Sequence, residues 1–131
     1  MATTPAFAAT PVVGHASPSA TADAEYGSTN APAHAVSLLA GGTNGTKVEQ
    51  IDVVGTGVTV AGNLIVFIYD GSTYWGVDCF TVTVVTPSTT VAPFFLSHTY
   101  NNLFVPSGSS LYITSAVASQ IVNVNAYGGN F

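Results

Sequence analysis

From His34 onward the chain is written in short runs of Val, Ile, Thr and aromatic residues, each cut by Gly, Pro, Asn or Asp. Branched and aromatic side chains suit a pleated, half-buried surface, and turn residues at this spacing leave no room for a sustained helical period. The runs fall at residues 35–40, 47–54, 63–69, 73–85, 91–98, 103–105, 111–117 and 121–126. In the second, Val48, Ile51 and Val53 point inward and Lys47, Glu49 and Asp52 outward; the alternation slips once, and a bulge near Gln50 repairs it. Residues 63–69 are apolar on both faces, which places that strand centrally or at a subunit contact. Asp70-Gly71-Ser72 reads as a tight hairpin turn, with Phe80, Val82 and Val84 on one face of the returning strand. Pro93 cannot donate to a ladder and suggests an edge or a bulge. The expected fold is all-β, an antiparallel β-sandwich of jelly-roll-like topology.

The surface of such a sandwich is unusual. One Lys, Lys47, no Arg and six acids (Asp23, Glu25, Glu49, Asp52, Asp70, Asp78) stand among 131 residues, for a formal charge of −5. Charged residues make up 5% of the chain, against about a quarter in an ordinary globular domain. With no basic patch, nucleic acid and an anionic membrane surface are excluded as expected partners. A neutral exterior suits a protein packed against other proteins. Cys79 has no second cysteine to pair with and reads as a buried, inert thiol. The start of the chain lacks the basic, then long apolar pattern of a secretory leader, which points to synthesis in a cytoplasm.

Residues 1–33 differ from the rest. They hold Pro5, Pro11, Pro18 and Pro32 among Ala, Thr and Ser, and sustain neither period. The expected organisation is an extended N-terminal arm over 1–33, with paired pieces around Phe7, Val12 and Val13, and a β-sandwich domain over 34–131. Such an arm is expected to order on a neighbouring subunit, and its removal to leave the sandwich folded.

Four blocks recur in a recognisable order: Asn44-Gly45-Thr46-Lys47-Val48-Glu49-Gln50-Ile51, Val66-Phe67-Ile68-Tyr69-Asp70-Gly71, Leu103-Phe104-Val105-Pro106-Ser107-Gly108 and Ala126-Tyr127-Gly128-Gly129-Asn130-Phe131. Together they resemble a family of small virion proteins of tailed bacteriophages and prophages, similar to capsid decoration or cement proteins. Two departures stand out: Val105 separates the leucine-like block from Pro106, and Asn130 stands where an acid is common. The resemblance covers about residues 42–131 and leaves the arm out. It implies a sandwich bound to a capsid surface, with the major capsid protein and sister copies as partners in a homotrimer. Neck, tail or head-fibre locations are the alternatives. It brings no catalytic residues and no cofactor.

The residues themselves agree on chemistry. His15, His34 and His98 share no metal-ligand spacing, and no nucleophile elbow or phosphate loop is present. Asp70 and Asp78 flank a hairpin and suggest Ca²⁺, although a turn-forming Asp70 needs no ion. No metal, cofactor or enzymatic activity is therefore expected. The aromatics exceed what one small core needs. Phe7, Val12, Val13, Tyr74, Trp75, Phe94, Phe95, Tyr100, Phe104 and Phe131 are the expected contact residues, and Tyr74 with Trp75 is the alternative platform for a glycan.

Overall fold

In a computed structural model, which describes residues 10–27 and 29–131, every regular element is a β-strand. The strands are β1 (Thr10–Ala16), β2 (Val36–Ala40), β3 (Thr46–Gly55), β4 (Gly62–Tyr69), β5 (Tyr74–Val82), β6 (Phe95–Val105), β7 (Ser110–Ser115) and β8 (Val122–Asn130). They make two four-stranded sheets, in the orders β1-β8-β3-β6 and β2-β7-β4-β5. All pairings are antiparallel. The pairs β4–β5, β3–β6, β2–β7 and β1–β8 nest about the β4–β5 turn, as though one long hairpin had been folded over itself.

The inward faces of the two sheets interdigitate. Val48, Ile51 and Val53 of β3 and Val122, Val124 and Ala126 of β8 meet Leu64 and Val66 of β4, Phe80 and Val82 of β5, and Leu111 and Ile113 of β7. The slip in β3 is real: its register with both neighbours shifts between Val48 and Gln50, so Val48 and Ile51 both reach the core. Asp70 forms its turn by accepting hydrogen bonds from the backbone N–H groups of Ser72 and Thr73, at 3.0 and 2.8 Å. Gly71 there adopts φ +100°, which a side chain would strain. Pro93 precedes β6, an edge strand, so its missing N–H takes nothing from the ladder.

Three expectations change. The two runs around His98 and Leu103 are one continuous strand, β6. β5 ends at Val82, and Val84 stands exposed in the following loop instead of on the core face. The expected arm over 1–33 does not project through its length. β1 pairs with β8 from Thr10 to Ala16, and Val12 packs against the core. Residues 17–27 and 29–33 then cross the outer face of the second sheet as a strap. Asp23 N–H donates to Ser115 O at 2.9 Å, Asn63 Nδ2 donates to the Tyr26 hydroxyl at 3.2 Å, and Gly27 lies over Phe67 and Tyr74. This cover explains why β4 is apolar on both faces: Ile65 and Phe67 point away from the central core and are still 1% and 0% exposed. Phe7 lies outside the described residues.

Candidate docking surface

The strands deliver the loops to two opposite ends. The β3–β4, β5–β6 and β7–β8 loops share one end, since Gly55 pairs with Val122, Val54 with Phe95 and Gly62 with Val82. Side chains and backbone knit the three loops together. Gln120 donates from Nε2 to Val60 O at 2.6 Å and accepts from Val60 N–H at 2.9 Å. The Thr59 hydroxyl donates to Thr83 O at 2.6 Å and accepts from Val85 N–H at 3.0 Å. Thr56 N–H donates to Ile121 O at 3.1 Å.

With their polar groups bonded to one another, these loops turn aliphatic side chains outward. Val58, Val60, Val84, Val91 and Ile121 are between 37% and 61% exposed. Residues 55–61, 83–94 and 116–121 contain no charged residue and no histidine. The result is an exposed apolar end framed by Thr, Ser and Gly, the kind of patch that marks an interaction site. Aromatic content does not reveal it, because its side chains are β-branched aliphatics in loops. The available signal was a run of Val and Ile in segments without a single charge.

The expected contact residues are dispersed. Val13, Phe95 and Phe104 are exposed on the outer face of the β1-β8-β3-β6 sheet, together with Tyr127. Phe131 lies 5.7 Å from Phe104, ring to ring, at the opposite end. Phe94 is not a surface residue: at 8% exposure it closes the core, beside its exposed neighbour Phe95. Tyr100 sits between the sheet edges with its hydroxyl bonded to Asp78.

Tyr74 and Trp75 do not form one platform, because adjacent residues of a strand face opposite ways. Tyr74 stacks on Tyr69 at 4.3 Å and meets Tyr112 edge-on at 5.6 Å, on the outer face. Trp75 pairs across from Ile68 and donates from Nε1 to Asp70 at 3.0 Å. That bond, followed by those from Thr73 and Ser72, holds the Asp70 carboxyl far below the ordinary carboxylate range.

Two further carboxylates serve as ties. Asp23, 6% exposed, accepts from Thr114 Oγ1 at 2.8 Å, from His34 N–H at 2.8 Å and from His34 Nδ1 at 2.9 Å. Burial pushes its pKa up, but the bonds from His34 and Thr114 outweigh that and leave it below the usual value. Asp78 joins the edges of the two sheets, accepting from His98 Nδ1 at 2.8 Å and from the Tyr100 hydroxyl, while the His98 ring stacks on Phe80 at 4.2 Å. Burial again raises its pKa and the His98 and Tyr100 bonds more than reverse this. Burial and the Asp78 charge raise the neighbouring Cys79 thiol.

Cys79 is exposed, not buried as its Val/Thr-rich surroundings suggested; its pairing with Ile65 puts it on the outer face at an edge strand. Asp70 and Asp78 are each engaged by their own partners, Asp70 by its turn and Trp75, Asp78 by His98 and Tyr100. Among the described residues no three His, Cys, Asp or Glu side chains are placed to share a metal. No protein-family model, curated protein or solved structure matches the chain.

Proposed function

We propose that this chain is a non-enzymatic assembly subunit of a bacteriophage virion, a capsid decoration protein that bridges neighbouring capsomers of the shell. One observation carries the reading: the uncharged aliphatic end formed by Val58, Val60, Val84, Val91 and Ile121. Apolar burial drives association in proportion to the area removed from water, at about 25 cal/mol per Å². Charges contribute little to a chain with so few of them. The four sequence blocks that resemble tailed-phage virion proteins support the location, and the nested strand pairing supports reading the sandwich as a jelly roll.

The same reading makes the major capsid protein and sister copies the partners, in a trimer, on particles assembled in the bacterial cytoplasm. The two carboxylate–histidine pairs support a structural role, since Asp23 holds the strap and Asp78 the sheet edges.

The test is addition of the full chain to particles that lack it, followed by co-sedimentation. Val84→Asp combined with Ile121→Asp is expected to leave the melting temperature within a few degrees of wild type, since both side chains are in loops and exposed. The same variant is expected to remain in the supernatant. Occupancy equal to wild type would remove the loop end from the interface, and a wild-type protein that never sediments with particles would end the decoration reading.

A further inference from the structure

The outer face of the β1-β8-β3-β6 sheet carries polar side chains in direct register. His15 on β1 lies opposite Asn125 on β8, Asn125 opposite Asp52 on β3, and Asp52 opposite Ser97 on β6. Ser97 Oγ and Gln50 Nε2 both donate to Asp52 Oδ1, at 2.5 and 2.7 Å. Between β1 and β8 the row opens into a cleft of about 330 Å³ lined by His15, Ala16, Ser17, Asn123 and Asn125. That lies at the small end of ligand sites, which run from roughly 300 to 1,000 Å³.

Bonds inside the cleft fix what it offers a ligand. His15 Nδ1 lies 2.6 Å from Asn125 Oδ1. An amide oxygen only accepts, so Nδ1 donates this bond, and the tautomer that does so presents Nε2 as an acceptor. Ser17 Oγ donates to Asn123 Oδ1 at 3.0 Å. Both amide oxygens are thus engaged. Among the described residues, the two amide nitrogens, as donors, and His15 Nε2, as acceptor, are left for a ligand.

Two donors beside one acceptor match vicinal hydroxyls, each of which accepts and donates. One rung along the sheet Val13 lies opposite Tyr127, both exposed, which supplies apolar surface for the C–H face of a pyranose. The electrostatics select against anions. Asp52 places a carboxylate next to Asn125, while Lys47 is opposite Gly129 toward the other end of β8.

We propose that the His15–Asn125 cleft binds a neutral saccharide, with Asn123, Asn125 and His15 holding adjacent hydroxyls and Tyr127 with Val13 carrying the ring. This assignment is independent of the assembly reading, and it places the sugar away from the tyrosine cluster of the other sheet.

The experiment is an NMR titration of the isotope-labelled full chain with glucose, galactose, mannose and N-acetylglucosamine and their disaccharides. Glucuronic acid and inorganic phosphate are the charged probes. At least one neutral sugar is expected to give saturable shifts at Ser17, Asn123, Asn125 and Tyr127, with the charged probes giving none. Asn125→Ala and Asn123→Ala are each expected to weaken binding about tenfold, with unchanged melting curves, and Tyr74→Ala to leave it as in wild type. A disaccharide that binds more tightly than its own monosaccharide assigns the ligand to a polymer, and equal binding assigns it to a free sugar; both uphold the site. No saturable shift with any neutral sugar at about 50 mM, a weak-binding limit near −2 kcal/mol, would overturn the proposal. So would shifts centred on Tyr69, Tyr74 and Tyr112, or equal binding of the charged probes.

Discussion

A carboxylate with 6% of its surface exposed has to have its oxygens filled, and Asp23 fills them with three donors from His34 and Thr114. Asp23→Ala leaves the buried Thr114 hydroxyl and the His34 N–H without their acceptor. The expected loss is about 3 kcal/mol in a denaturant titration, the scale of hydrogen bonds to a charged group. Because the folded-state pKa lies below the ordinary 3.8, Asp23 stabilises the fold above that pH, and the contribution is lost as pH falls through the lower folded value. Asp78 acts in the same direction. Melting temperature is therefore expected to fall below about pH 4, and less steeply in Asp23→Ala; a wild-type curve flat to pH 2 would contradict these pairings. Gly27 is the second residue the strap depends on. Its φ is +103°, and a Cβ there would lie 2.6 Å from Tyr74 O. Gly27→Ala is expected to cost about 2 kcal/mol or more, from the left-handed backbone and the contact together, read as a lowered denaturation midpoint.

Among the elements, the strap sets the sharpest prediction. Deleting residues 1–33 removes β1 and uncovers Ile65 and Phe67. At about 1.5 to 3 kcal/mol for each large apolar side chain exposed, the truncated protein is expected to lose about 3 to 6 kcal/mol, seen as a collapsed melting transition or insoluble expression. A melting temperature equal to the full chain would show that the strap adds nothing. The sequence could not announce this strap. Its anchors reach far along the chain, as in the bond from Thr114 to Asp23, 91 residues away, and a Pro- and Ala-rich segment has no period to betray which surface it covers. Strands were legible for the opposite reason. The slip at Gln50, the turn at Asp70 and the edge position after Pro93 each follow from rules that act within a few residues. Phe94 and Phe95 mark the boundary of that reach: both are aromatic, and only the exact start of β6 decides which one enters the core. For the site, Val13, Phe95 and Phe104, expected as contact residues, are exposed, while the aliphatic end and the polar cleft required three loops and two distant strands to be brought together.

For the whole molecule, the charge count becomes a statement about conditions. Salt screens interactions between exposed charges, with a Debye length of about 3 Å at 1 M, and leaves apolar contacts intact. Association through the loop end is expected to persist in about 1 M NaCl, measured by particle co-sedimentation; release by salt alone would point to a charged interface elsewhere. The nesting of strands about the β4–β5 turn also governs how the protein is made. Each successive pair joins segments farther apart in sequence, and closing longer loops slows folding. On a translating ribosome β1 emerges before the other seven described strands, yet the neighbour it needs, β8, emerges after all of them. Through that wait an identical chain finishing nearby offers the same edge, so dense polysomes favour exchange of β1 between copies.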